Sequence, residues 1–165
     1  MKNQKGFTLI EVLVYLALFA ILMGGMVIMA YNIFESSDRD QTKVLMQGEG
    51  DFLVSKINWA LTGVKAMVTP LDTSGSILTV NKWIDSGVAT TVDIRISGTD
   101  MVISRGGGVP IVLNNSNVQI ENLLFTHNYN GANQEDVQAS FTVISKTMNG
   151  VSVSQDFSTT KYMRK

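Results

Sequence analysis

Lys5-Gly6-Phe7-Thr8-Leu9-Ile10-Glu11 leads into an apolar run, and from Val12 to Tyr31 no charged residue interrupts it. A run of about 20 residues at 1.5 Å each crosses roughly 30 Å of hydrocarbon as a helix. One carboxylate, Glu11, stands just inside this run. Carboxylates are costly in such surroundings, least so near an interface. An ionisable side chain placed there therefore points to a function and to a partner of opposite charge.

The flanks of the run set its orientation. Lys2 and Lys5 precede it, whereas Glu35, Asp38 and Asp40 follow it. The positive-inside tendency then predicts a single pass through the cytoplasmic membrane, with the N-terminus in the cytoplasm and the remainder outside. The 165 residues are 45% hydrophobic and carry a formal net charge of −1, a balance that does not argue for a nucleic-acid surface. Cysteine is absent, so neither a disulfide nor thiol chemistry is available, and the redox compartment stays open.

Residues 7–31 read as the membrane helix. Ala17, Ala20 and Gly24 form a line of small side chains, extended by Gly25, and Ala20 and Gly24, four apart, would let another helix approach closely. Gly24-Gly25 is also a point of low helix propensity, by about 1 kcal/mol per glycine relative to alanine. Residues 32–63 read as an amphipathic extension, with Val44, Leu45, Phe52, Leu53, Ile57, Ala60 and Leu61 near helical spacing. Asp38, Asp40 and Glu49 read as part of its solvated face. Gly48 and Gly50 suggest a bend, and Gly63 a stop. A single helix from Phe7 to Thr62 would measure roughly 84 Å.

Beyond Gly63 the pattern changes to strands at Ile77–Val80, Val88–Ile96, Met101–Arg105, Val109–Leu113, Val118–Phe125, Val137–Ser145 and Val151–Phe157. Gly98-Thr99-Asp100 reads as one hairpin turn, and Asn149-Gly150 as a two-residue hairpin. Asn128 to Asp136 reads as a polar loop. The fold class is α+β: a long N-terminal helix, membrane-spanning in its inner half and amphipathic in its outer half, packed on an antiparallel β-sheet head at 64–165.

Little here supports catalysis. His127, the only histidine, stands between Thr126 and Asn128 and reads as a solvated loop residue. Gly106-Gly107-Gly108 lacks the following Lys-Ser/Thr of a phosphate loop and reads as a turn. Asp72, Asp85, Asp93 and Asp100 are spread over separate turns and strands, so no metal is expected. Trp59 and Trp83 read as core or helix–sheet packing. No enzyme, catalytic residue or cofactor is expected.

The leader resembles those of type IV pilins and of the pseudopilins of type II secretion and competence systems. The resemblance rests on the basic leader ending at Gly6, Phe7 after it, Glu11 at the fifth mature position and the unbroken apolar run. It implies that a prepilin peptidase removes residues 1–6 between Gly6 and Phe7 and methylates the new Phe7 amine. It also implies that Glu11 meets the Phe7 amine of a neighbouring subunit during filament assembly. Many pilins carry a proline at the twenty-second mature position, where the helix melts in the filament. Ile28 stands there in this chain, and Gly24-Gly25 could take over that role. An ordinary secretory signal is cut after its apolar region, which does not fit a site preceding it. An uncleaved signal anchor, with Glu11 in the headgroup region, is the plainer alternative.

The head resembles minor pilins and J-type pseudopilins around Asp93–Ile96, Met101–Arg105 and Asn117–Phe125, and in its tail Phe157–Lys165. The implied partners are other pilin or pseudopilin subunits, the prepilin peptidase, and indirectly a platform protein and an assembly ATPase. Nucleic acid would join them only in a competence system. The resemblance thus implies a structural filament subunit, first held in the membrane and then in a filament in the periplasm or at the cell surface. A membrane-anchored binding module that recognises a surface, DNA or cargo is the alternative.

Overall fold

The computed structural model describes residues 6, 8–71, 74–85, 88–129 and 135–163. Lys2, Lys5, Phe7 and Asp72 lie outside the described residues, as do 130–134 of the expected polar loop and the terminal Arg164-Lys165. Helix α1 runs Leu9–Leu61. Among the described residues nine strands follow: β1 Val64–Thr69, β2 Ser74–Gly75, β3 Leu78–Asp85, β4 Val88–Ser97, β5 Asp100–Arg105, β6 Ile111–Val112, β7 Val118–Tyr129, β8 Glu135–Lys146 and β9 Ser152–Met163. The chain forms two compact units, Met1–Asp40 and Gln41–Lys165, which divide within the expected 32–63 extension.

In the first unit α1 exposes its apolar side chains along their whole length. It contains an 18-residue window of mean hydropathy 2.6 that nothing among the described residues buries, which makes it long and apolar enough to cross a membrane. The helix is unbroken through Gly24 and Gly25.

In the second unit α1 buries Thr42, Met46, Gly50, Leu53, Ile57, Ala60 and Leu61. Steps of three and four residues separate these positions up to Ala60, so they form one stripe. It corrects the stripe read from hydropathy, because Val44 is 73% exposed and Leu45 and Phe52 are exposed as well. The reason is Gly50. A Cβ there would stand 2.1 Å from Phe157 Cζ, so the ring lies against bare helix backbone. Phe157 in turn stacks on Phe141, with centroids 5.5 Å apart and an interplanar angle of 13°. Gly50 therefore serves close approach rather than a bend, and the helix continues through it. Gly63 does end the helix, with φ 71° at the left-handed cap position, and its carbonyl accepts Trp83 N–H at 3.3 Å.

Among the described residues all strand pairing is antiparallel. Where sequence suggests one sheet, there are two: β1-β3-β4-β5-β6 and β2-β7-β8-β9. Both contribute to the single core under α1. Ile120 N–H joins them by donating to the Thr99 carbonyl at 2.8 Å. Buried Asn114 adds a second link, its Oδ1 accepting Met101 N–H at 2.8 Å and its Nδ2 donating to the Val118 carbonyl at 3.1 Å and to Asp100 Oδ1 at 3.0 Å. Asn114→Ala would strand these buried groups. It is expected to lower stability by about 2 kcal/mol, read by urea unfolding of the detergent-solubilised chain.

Strand parity explains the remaining departures. Asn122 takes φ 55° where the β7–β8 register shifts, so the inward positions change from Val118 and Ile120 to Leu123, Phe125 and His127. His127 is thus only 7% exposed, not a solvated loop residue, and its Nε2 lies 3.8 Å from Glu135 Oε2. The ladder also holds Asn128 opposite Asp136, which shortens the expected loop. β3 points Leu78, Val80 and Lys82 inward, leaving Trp83 47% exposed with Lys65 Nζ 4.9 Å from its ring centroid. Trp83 is therefore not a core residue. Trp59 is half-buried and packs against the core, with Lys82 Nζ 4.1 Å and Arg105 Cζ 4.6 Å from its ring centroid. Lys82 also donates to the Trp59 carbonyl, and burial, then the nearby Arg105 charge, push its ammonium below the usual lysine range.

The β8–β9 turn differs by one position from the two-residue reading. The Thr147 carbonyl accepts Gly150 N–H at 2.8 Å, so Met148 and Asn149 are the central pair and Gly150 follows at φ 77°.

Candidate assembly site at the start of the helix

A helix that begins at Leu9 leaves its first N–H groups without intrahelical acceptors. Thr8 stands at the N-cap and Glu11 three residues further on. Thr8 N–H and Thr8 Oγ1 both donate to Glu11 Oε2 at 2.8 Å, and Glu11 N–H reaches Thr8 Oγ1 at 3.4 Å. This is a reciprocal capping box, and a carboxylate in the first turn also suits the positive end of the helix dipole. Both side-chain bonds fall on Oε2. Among the described residues Oε1 accepts no hydrogen bond, which leaves it open to a cation.

The sequence contained the signal for this cap, Thr8-x-x-Glu11 ahead of an apolar run. Reading Glu11 only as a charge seeking a cation passes over its bond to Thr8. The carboxylate has a partner within its own chain and keeps one oxygen for another.

The other expected site residues fall as follows. Gly6 is exposed, with open space where a Cβ would be. Phe7, the expected cleavage and methylation residue, lies outside the described residues. Ala17, Ala20 and Gly24 follow one another at helical spacing, and all three are exposed, as is Gly25. A Cβ at Gly24 or Gly25 would meet nothing within 4 Å.

Residues 1–27 match the family described as the prokaryotic N-terminal methylation motif. No curated protein and no solved structure matches the chain. The matched residues cover the leader, the capping box and the first part of α1, including Ala17, Ala20, Gly24 and Gly25. The leader is thus the prepilin leader of the type IV pilin and pseudopilin class. It implies membrane association and assembly with other pilin subunits.

Proposed function

We propose that the chain is a structural subunit of a type IV pilus-like, competence or type II secretion filament, matured by a prepilin peptidase that cuts between Gly6 and Phe7 and methylates Phe7. The match of residues 1–27 to the N-terminal methylation motif carries this reading. After cleavage the chain waits in the bilayer through its apolar helix, head outside. Glu11, steadied by Thr8, offers Oε1 to the Phe7 amine of the subunit it docks beside. Each charge then finds its partner in a dry setting, where pairing counts most. The small-residue line at Ala17, Ala20, Gly24 and Gly25 lets neighbouring helices close up. An assembly ATPase acting through a platform protein supplies the work.

The finer reading is a minor pilin or J-type pseudopilin, supported by the sequence pattern of the head. No enzymatic role is proposed.

Mass spectrometry of the chain from sheared filaments and from membranes of its native host tests the reading. The expected filament species begins at Phe7 and carries one methyl group. A filament-free chain that retains Met1 would overturn the proposal.

A further inference from the structure

In the second unit, α1 and the edge of the five-stranded sheet enclose a cleft of about 430 Å³. Phe52 and Lys56 form one wall, Val109 and Ile111 the other, and Arg105 and Leu113 contribute to its lining. Val109 is 87% exposed, and Ile111 lies on β6, an edge strand paired only with β5. Phe52 and Val112 are exposed beside them, so the lining is apolar side chains open to water.

Its charge has one sign. Lys56 Nζ sits 5.0 Å from the Phe52 ring centroid and Arg105 lies over Trp59, with buried Lys82 on the same indole. Among the described residues no carboxylate comes within ion-pair distance of Lys56 or Arg105. The cleft therefore suits a segment that is apolar and acidic together.

The chain carries one. In residues 33–40 of α1, Ile33 and Phe34 are exposed, Glu35, Asp38 and Asp40 are acidic, and the sole base, Arg39, is bound to Glu35 at 2.8 Å. Helical spacing puts Ile33 on one face with Asp40, seven residues on, and Phe34 with Asp38, four residues on. Each apolar side chain is thus coupled to an acid, as the cleft sets its apolar residues beside Lys56 and Arg105.

We propose that this cleft receives residues 33–40 of a second copy of the chain, as an amphipathic helix laid in a groove. Phe34 and Ile33 of that copy cover Phe52 and Ile111, and its acids meet Lys56 and Arg105. The contact rests on the filament reading and adds that copies of this chain touch one another in the polymer.

The absence of cysteine allows a direct test. Phe34→Cys combined with Val109→Cys in one chain, oxidised in sheared filaments, is expected to give a ladder of disulfide-linked copies that neither single variant gives. Filaments that contain the double variant without the ladder, or that link it to a different subunit, would overturn the contact. Wild-type chain assayed alongside separates the two ideas: its absence from filaments counts against the filament reading itself. Should the cysteine variant fail to assemble, charge reversal decides. Lys56→Glu is expected to cut incorporation about tenfold, and adding Asp40→Lys to restore it. No loss with the first, or no recovery with the second, sinks the proposal.

Discussion

Glu11→Gln is expected to insert and be cleaved as the wild type is, yet to enter filaments about tenfold less often or worse. The substitution separates two roles that Glu11→Ala would remove together. Glutamine serves at the third helical position of a capping box as glutamate does, so the bonds from Thr8 persist while the charge is lost. Thr8→Val makes the opposite cut: it takes away the hydroxyl donor and leaves the carboxylate. If charge pairing with a neighbour's amine drives assembly, Gln and Ala fail alike and Thr8→Val falls between them and wild type. If Glu11 only starts the helix, Gln assembles normally. Immunoblots of sheared filaments against the membrane fraction read incorporation, and the intact mass reads cleavage. Gln at wild-type levels in filaments would remove charge pairing from the account.

The features legible in sequence are those set by neighbours along the chain. The apolar run, the leader, the helix stop at Gly63 and the turn after Ser97 all depend on local spacing or on one residue's backbone freedom. The capping box was equally local, yet the same glutamate also invited an electrostatic reading that hid it. Contacts made across the fold were not legible. Nothing near Gly50 announces that Phe157, from the last strand, will lie on it, so hydropathy favoured Phe52 and Val44 for a stripe that passes through a glycine. His127 faces inward because of the register shift at Asn122 earlier in the same strand, and a single left-handed asparagine is a weak signal. β1 has no alternation to detect: only Val64 and Met67 turn inward, and its pairing with β3 is twice irregular. The residue pattern ends the last strand at Phe157, whereas β9 runs on to Met163, where even-numbered side chains face solvent and only one face packs.

Two nearby glycines on α1 are expected to respond in opposite directions. At Gly48 a Cβ would meet nothing within 4 Å, so Gly48→Ala gains helix propensity alone, about 0.5–1 kcal/mol. At Gly50 the same atom would fall 2.1–2.4 Å from three atoms of the Phe157 ring. That ring meets the helix with its tip and cannot simply swing aside, because one of its faces is held by the stack with Phe141. Gly50→Leu therefore either drives Phe157 out of the core or lifts β9 from the helix. Overpacking costs about 1–3 kcal/mol, the broken aromatic stack adds about 1, and helix propensity returns up to ~1. The net loss is expected at about 2 kcal/mol, a fall of roughly 4–8 °C in melting temperature for the detergent-solubilised chain. A double-mutant cycle identifies the cause. Phe157→Ala vacates the space that the new leucine needs, so the pair should lose clearly less than the sum of the two single changes. Strict additivity, or a Gly50→Leu chain as stable as wild type, would show that the close approach of Phe157 to the helix does not hold the head together.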